Sequence, residues 1–147
     1  MTPEQAVGLR DYFVSSLRSE SQTTGRVLSA VPDDKASYKP HETSMSAQDL
    51  AAHIAMVDQW FLQLIADGSF TRPENPGGEM PKPSQLAAAY KENMPGLIDK
   101  VTALSGEQLA KEIEFFTFKL PAVVYLDFCI KHGVHHRGQL STYLRPM

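Results

Sequence analysis

Polar and apolar residues alternate with a helical period along four stretches of the chain. In the first stretch the inward positions are Ala6, Leu9, Phe13, Leu17, Thr24, Val27 and Val31, spaced mostly three or four residues apart, or one further turn. Thr2 and Pro3 are typical of a helix start, and Gln5 completes a capping box with Thr2. Pro32 ends this predicted helix, and residues 32–45 are interpreted as a loop.

A second helix is expected to begin near Ser44 or Ser46 and to stop at Gly68. Its inward positions are Leu50, His53, Val57, Trp60 and Leu64. The segment 71–83 follows, with prolines at four positions, Pro76 among them, and two adjacent glycines. Because proline lacks a backbone N–H, no helix is expected to cross this segment.

Ser84 is the expected cap of a third helix. Pro95 and Gly96 interrupt that helix, and we expect a kink or a break there, because a proline removes one hydrogen bond and clashes with the preceding turn. The apolar pattern then resumes and ends at Ser105 and Gly106.

The aromatic-rich residues 112–119 are interpreted as extended chain or coil. A fourth helix is predicted from Pro121 to about Leu144. Its inward positions are Tyr125, Cys129, His132, His136, Leu140 and Tyr143. The sequence therefore predicts an all-α fold, a four-helix bundle with long loops and a third helix kinked near Pro95, formed as one domain over residues 1–147.

Composition narrows the function classes. Hydrophobic residues make up 42% of the 147 residues, and the formal net charge is -3 with no run of lysine or arginine. Neither a nucleic acid nor an anionic membrane surface is therefore expected as a partner. Cys129 is the single cysteine, so no internal disulfide can form, and the N-terminus lacks the apolar run of a secretory signal. A cytoplasmic location is expected.

Three histidines stand on the inward faces of two predicted helices. His132 and His136 are four residues apart, which places both imidazoles on one helix face, and His53 lies on the second helix. Three imidazoles on one divalent ion leave a coordination position open for water or substrate. Zinc or nickel is the expected ion, with iron, manganese and copper as alternatives. The simpler interpretation is that each histidine is a hydrogen-bonded core residue.

Other residues near these faces carry weaker predictions. Gly133 follows His132 where a zinc-peptidase helix would have a glutamate, so that mechanism is not expected. Cys129 is interpreted as a small buried residue, with a pocket thiol or an extra metal ligand as the alternative. Glu20 is a candidate general base, although a partly exposed glutamate at the edge of the inward face explains it as well. Asp49 is a candidate to contact the ligating imidazoles, and His135 is interpreted as either exposed or in such a contact.

Two segments resemble the DinB/YfiT-like superfamily. YKPHETSMSAQDLAAHIAMVDQWF is similar to its second-helix region, and KHGVHHRGQLSTYLR to its fourth-helix signature. The resemblance covers nearly the whole chain. It implies a four-helix bundle, often a homodimer, with a three-histidine metal site at His53, His132 and His136. It also implies a small-molecule substrate, since some relatives are metal-dependent transferases of low-molecular-weight thiols and others resemble hydrolases.

Three hypotheses for function follow. The first is a metal-dependent enzyme in which the ion activates a bound water or thiol for attack on a small molecule. The second is a non-catalytic metal-binding module of a stress response that acts as a dimer. The third is a purely structural bundle with histidines filling its core.

Overall fold

The helical pattern of the sequence becomes four long helices and a short fifth one. A computed structural model describes residues 1–74 and 77–147, so Pro76 of the turn-rich segment lies outside the described residues. The elements in chain order are α1 (Pro3–Ser29), α2 (Ala47–Asp67), α3 (Pro83–Thr102), α4 (Gly106–Ala110), β1 (Glu112–Phe115), β2 (Phe118–Pro121) and α5 (Tyr125–Leu144). Short 3-10 turns lie at Asp33–Lys35 and Ala122–Val124.

The four long helices form the predicted bundle. Helix α1 packs against α3 and α5, and α2 also packs against α3 and α5. Each long helix therefore contacts two of the others, and their inward faces enclose one core. The fully buried side chains of that core include Leu28, Leu50, Ile54, Leu62, Tyr90, Met94, Ile98, Leu126 and Leu140. The all-α prediction is confirmed, and burial of these apolar faces is the main stabilising contribution.

Local capping fixes where the first two helices begin and end. The Thr2 hydroxyl accepts a hydrogen bond from the Gln5 backbone N–H, and the Gln5 side chain accepts one from the Thr2 N–H, which confirms the capping box. Ser46, rather than Ser44, caps α2, because its hydroxyl accepts from the Asp49 N–H at 3.0 Å. Gly68 ends α2 with φ of 68°, a left-handed conformation that glycine adopts without strain.

The third helix departs from the sequence prediction at its start, and at Pro95 one of the two predicted alternatives is excluded. Ser84 does not cap α3; the helix begins at Pro83, and the Ser84 N–H and hydroxyl both donate to the Asp33 carboxylate, at 2.9 and 2.7 Å. A break at Pro95 was the wrong alternative, because α3 runs without interruption to Thr102. Pro95 is exposed, and buried residues precede and follow it on the inward face. Their burial outweighs the lost backbone hydrogen bond.

The aromatic-rich segment forms a β-hairpin, which sequence analysis left open as extended chain or coil. Strands β1 and β2 are antiparallel, with Ile113 opposite Leu120. The Tyr125 hydroxyl donates to the Ile113 carbonyl at 2.7 Å and fastens the hairpin to the start of α5. Helix α5 accordingly begins at Tyr125, after a 3-10 turn, and not at Pro121.

A helix that crosses a bilayer needs about 20 consecutive, mainly apolar residues. Among the residues that the structure describes, no helix combines enough length with enough apolar character to span a membrane.

Candidate metal centre

Three histidine side chains converge where α2 faces α5. His53 projects from α2, and His132 and His136 project from α5 one turn apart. The Nε2 atoms of His53 and His132 are 2.9 Å apart, and the three ring centroids are separated by 4.5 to 4.7 Å. One ring nitrogen from each residue lies within 4.8 Å of the others. The structure thus brings together the three histidines that the sequence nominated.

An oxygen atom lies near the Nδ1 atom of two of these rings, within hydrogen-bond distance for His136 and farther away for His132. The Nδ1 atom of His136 is 3.0 Å from the Gln139 Oε1, and the Nδ1 atom of His132 is 3.7 Å from the Asp58 Oδ1. A ring that donates its Nδ1–H to an oxygen keeps the lone pair on Nε2. This arrangement directs Nε2 lone pairs toward the space between the three histidines, as in carboxylate–histidine–metal sites.

Asp58 is the residue of this centre that sequence analysis missed. Its side chain is 96% buried between α2, α3 and α5, and its Oδ2 accepts a hydrogen bond from the Tyr90 hydroxyl at 2.9 Å. Its Oδ1 and the Nδ1 of His132 have no hydrogen-bond partner among the described residues. A small tilt of the His132 ring would join these two atoms, and a buried carboxylate requires such a partner.

Burial and repulsion from neighbouring rings favour the uncharged state of His53 and His136. Burial lowers the pKa of His53, and the neighbouring His132 and His136 rings lower it further. Burial also lowers the pKa of His136, although its hydrogen bond to Gln139 opposes the shift. Both rings are therefore neutral at physiological pH, and a neutral ring has the free lone pair that a metal ion requires.

The donor set fits a divalent transition metal. Zinc–nitrogen bonds are about 2.0–2.1 Å long, so two nitrogens on one ion lie no more than about 4.2 Å apart. The observed separations of up to 4.8 Å are close to that limit, and small side-chain rotations would close the difference. Three imidazoles without a thiolate or a directly bound carboxylate are borderline donors that suit zinc and nickel.

Comparison with known proteins assigns the family. The sequence matches the DinB family over residues 5–147. The chain belongs to the DinB family. It is also 32% identical over 139 residues to the uncharacterized protein YjoA of Bacillus subtilis, and the match covers 92% of this chain and 88% of YjoA.

Solved structures of two relatives share the fold of this DinB family member. The crystal structure of the DinB-like protein YjoA from Bacillus subtilis superposes with a TM-score of 0.77 at 31% identity and covers 92% of each chain. A DinB-like protein from Bacillus cereus superposes with a TM-score of 0.76 at 21% identity, covering 91% of this chain and 89% of the other. The second likeness concerns the fold alone.

The remaining candidate residues of this DinB family protein lie outside the histidine cluster. Glu20 forms an ion pair with Arg137, whose Nη1 also donates to the Glu20 carbonyl, so its carboxylate is already engaged. Cys129 is 99% buried, burial raises the pKa of its thiol, and its Sγ lies 3.8 Å from the Asp58 carbonyl. His135 is exposed beside His136. Asp49 accepts a hydrogen bond from the Ser46 hydroxyl at 2.7 Å, at the start of α2.

The positions of these side chains bear on the roles that the sequence suggested for them. Glu20 was a candidate general base, but its carboxylate is paired with Arg137 and so makes a structural contact instead. The buried, protonated thiol agrees with the interpretation of Cys129 as a small apolar residue. Asp58 could have been suspected from the sequence, because it is an acidic residue within the otherwise apolar run of α2, five positions after His53.

Proposed function

We propose that this chain binds one divalent metal ion through His53, His132 and His136 and is a metal-dependent enzyme acting on a small molecule. The reaction is a transfer to a thiol or a hydrolysis. The observation that carries the proposal is the convergence of one ring nitrogen from each of the three histidines, with the Nδ1 atoms of His132 and His136 facing oxygen atoms. Zinc or nickel is the proposed ion, since both accept imidazole ligands.

The protein residues contribute position and charge. When bound, the ion supplies a Lewis acid that lowers the pKa of a water or thiol beside it. The lowered pKa values of His53 and His136 keep these rings available as ligands. The Asp58 carboxylate faces the Nδ1 of His132 and would hold that ring in the orientation that presents Nε2.

Metal analysis of the untagged protein tests the first half of the proposal. We expect about one equivalent of metal in the parent protein and in His135→Ala, which alters an exposed histidine on the same helix. We expect almost none in His132→Ala or His136→Ala, because two imidazoles hold an ion far more weakly than three. Full metal content in His132→Ala would contradict the proposed ligand set.

A panel of low-molecular-weight thiols with an electrophilic acceptor, and a panel of small esters and amides, test the second half. Turnover is expected from the metal-loaded protein and should disappear after chelation and in His132→Ala. A metal-free variant that remains active would refute metal-dependent catalysis. A fully loaded protein without turnover on either panel would favour the non-catalytic metal-binding module.

A homodimer and a cytoplasmic location belong to the same proposal. The dimer is suggested by the resemblance to other DinB-like proteins, and the location by the single cysteine, Cys129. Sedimentation of the untagged protein and fractionation of cells would check them.

A further inference from the structure

A groove beside the metal centre is lined mainly by apolar side chains. Its volume is about 580 Å³, within the range of small-molecule pockets. The apolar wall is formed by Met45, Met56, Val57, Trp60, Pro73 and Met80. His53 lines the same groove, so one wall of it is shared with the histidine cluster. A molecule in the groove would therefore lie next to the proposed metal ion.

The exposure of the methionines is itself unusual. Met45, Met56 and Met80 are 39%, 52% and 42% exposed, and all three face this groove. Methionine side chains are flexible and polarizable, and they adapt to ligands of varied shape. Trp60, which lines the same groove, is held in place because its indole N–H donates to the Thr71 carbonyl at 2.8 Å. The groove thus combines a fixed aromatic side chain with adaptable ones.

Charge further restricts what the groove can hold. Among its described lining residues, Asp49 is the one that carries a charge, and no lysine or arginine lines the groove. An anionic group in the groove would meet this carboxylate without a compensating cation. Negative charge is instead favoured at the neighbouring metal, where three neutral imidazoles leave the positive charge of the ion largely uncompensated.

We propose that the groove binds the uncharged, apolar body of a small-molecule ligand whose single donor atom reaches the metal. This inference rests on the proposed function, and it specifies the class of substrate that the site accepts. The donor is a thiolate or a similar atom, and the body is an alkyl or aryl chain without a terminal negative charge. Burial of such a chain against methionine and tryptophan supplies most of the selectivity.

Thiols of matched length test the proposal. Trp60 is the single tryptophan of the chain and lines the groove, so its fluorescence reports binding there. The zinc-loaded protein is titrated with 1-hexanethiol, 6-mercaptohexanoate and 2-mercaptoethanol. Each buried methylene contributes about fourfold in affinity, so hexanethiol should bind at least about tenfold more tightly than mercaptoethanol. The terminal carboxylate of mercaptohexanoate should remove that advantage. Equal affinity for the three thiols would overturn the proposal.

A variant that places a charge in the groove tests the proposal, and a second variant with the same charge elsewhere is its control. Met56→Glu should lower hexanethiol affinity to the level of mercaptoethanol while leaving the metal content unchanged. Tyr12→Glu adds the same charge at a residue that is 72% exposed and outside the groove, and it should bind hexanethiol like the parent. If Met56→Glu keeps the parent preference, the groove does not hold the apolar body and the proposal is wrong.

Two further measurements separate this proposal from the metal proposal and from a protein partner. Metal-free protein titrated with 1-hexanol should still show a change in Trp60 fluorescence, and this result would support the groove even if no metal bound.

If ligand affinity falls as protein concentration rises and Met56→Glu converts a dimer to a monomer, the groove is an interface with a second copy of the chain. That outcome would overturn the small-molecule assignment.

Discussion

Gly133 of α5 leaves the space that the Asp58 carboxylate of α2 occupies. A Cβ atom at position 133 would lie 3.1 Å from the Asp58 Oδ2 and 3.2 Å from its Oδ1, closer than carbon and oxygen normally approach. This relationship explains why a glycine follows His132. A side chain at this position would meet Asp58 rather than a metal-bound water, so the position is unsuited to the glutamate of a zinc-peptidase helix.

Gly133→Ala is expected to destabilise the protein by about 1 kcal/mol or more, despite the higher helix propensity of alanine. The added methyl group would push Asp58 away from the Tyr90 hydroxyl, and the carboxylate would lose part of its hydrogen bonding. Metal affinity should fall as well, because Asp58 faces His132. Urea denaturation of the metal-free protein and competition with a chelator measure the two effects.

Gly138→Ala is the control on the same helix. A Cβ atom there would have no neighbour within 4 Å among the described residues, so this variant should gain about 0.5–1 kcal/mol from helix propensity alone. Equal stabilisation of the two variants would show that Asp58 yields to the methyl group without cost.

Asp58→Asn tests whether the carboxylate orients His132. The substitution keeps the size of the side chain and an oxygen for the Tyr90 hydroxyl, but it removes the charge that faces the His132 Nδ1. Loss of such a partner weakens metal binding by about 10- to 100-fold in comparable sites. Isothermal titration with zinc, buffered by a competing chelator, measures the change. Unaltered zinc affinity would show that Asp58 serves the packing of the bundle and not the metal.

Tyr90→Phe separates the role of Asp58 in the packing of the bundle from its role at the metal. It leaves the Asp58 Oδ2 without its hydroxyl donor in a buried site, which should cost about 1–3 kcal/mol of stability. Because the Oδ1 atom still faces His132, zinc affinity should change less than in Asp58→Asn.

The part of this centre that the sequence predicted is the part set by local periodicity. His132 and His136 share a helix face because of their spacing, and the apolar neighbours of His53 turn it inward. Asp58 could not be placed in the same way. Its hydroxyl partner Tyr90 comes from α3 and its imidazole partner from α5, and no pattern within α2 encodes those distant contacts.

The difference between local patterns and contacts between distant elements also explains the errors in the fold prediction. The capping box at Thr2 involves residues three apart and was predicted correctly. Ser84 was assigned as a cap because its type suits one, but the carboxylate that binds it comes from Asp33, 51 residues earlier. The hairpin at 112–121 depends partly on the bond from Tyr125 to Ile113, which is also a contact between elements.

The stability of the metal-free protein should depend on pH through the histidine cluster. The pKa values of His53 and His136 lie below 6.5 in the folded protein, while the unfolded chain has the ordinary value. Between these values the unfolded state binds more protons, so the free energy of unfolding falls as pH is lowered through about 6.5. The nearby Asp58 carboxylate opposes the shift in both residues without reversing it.

Urea denaturation of chelator-treated protein at about pH 7.5 and about pH 5.5 measures this effect, since most carboxylates remain ionised over that range. A variant with both His53→Gln and His136→Gln should show a smaller difference between the two pH values. A difference as large as that of the parent protein would place its origin in other groups.

Pro95 of α3 is expected to limit stability without serving the site. It is exposed, and it deprives the Lys91 carbonyl of the backbone donor that an ordinary helical residue would supply.

Pro95→Ala restores that donor and removes the ring clash, although it also gives the unfolded chain more freedom, which opposes the gain by about 0.4–1 kcal/mol. The net expectation is a stabilisation of about 2 kcal/mol, since a proline within a helix costs about 3 kcal/mol. Gly96→Ala is the reference. In the part of the chain that the structure describes, a Cβ atom there would have no neighbour within 4 Å, and the substitution should add about 1 kcal/mol. Thermal unfolding of the two variants checks both values, and zinc affinity should remain at the parent level in each. A Pro95→Ala protein less stable than its parent would show that the proline sets a helix geometry on which the packing of α3 depends.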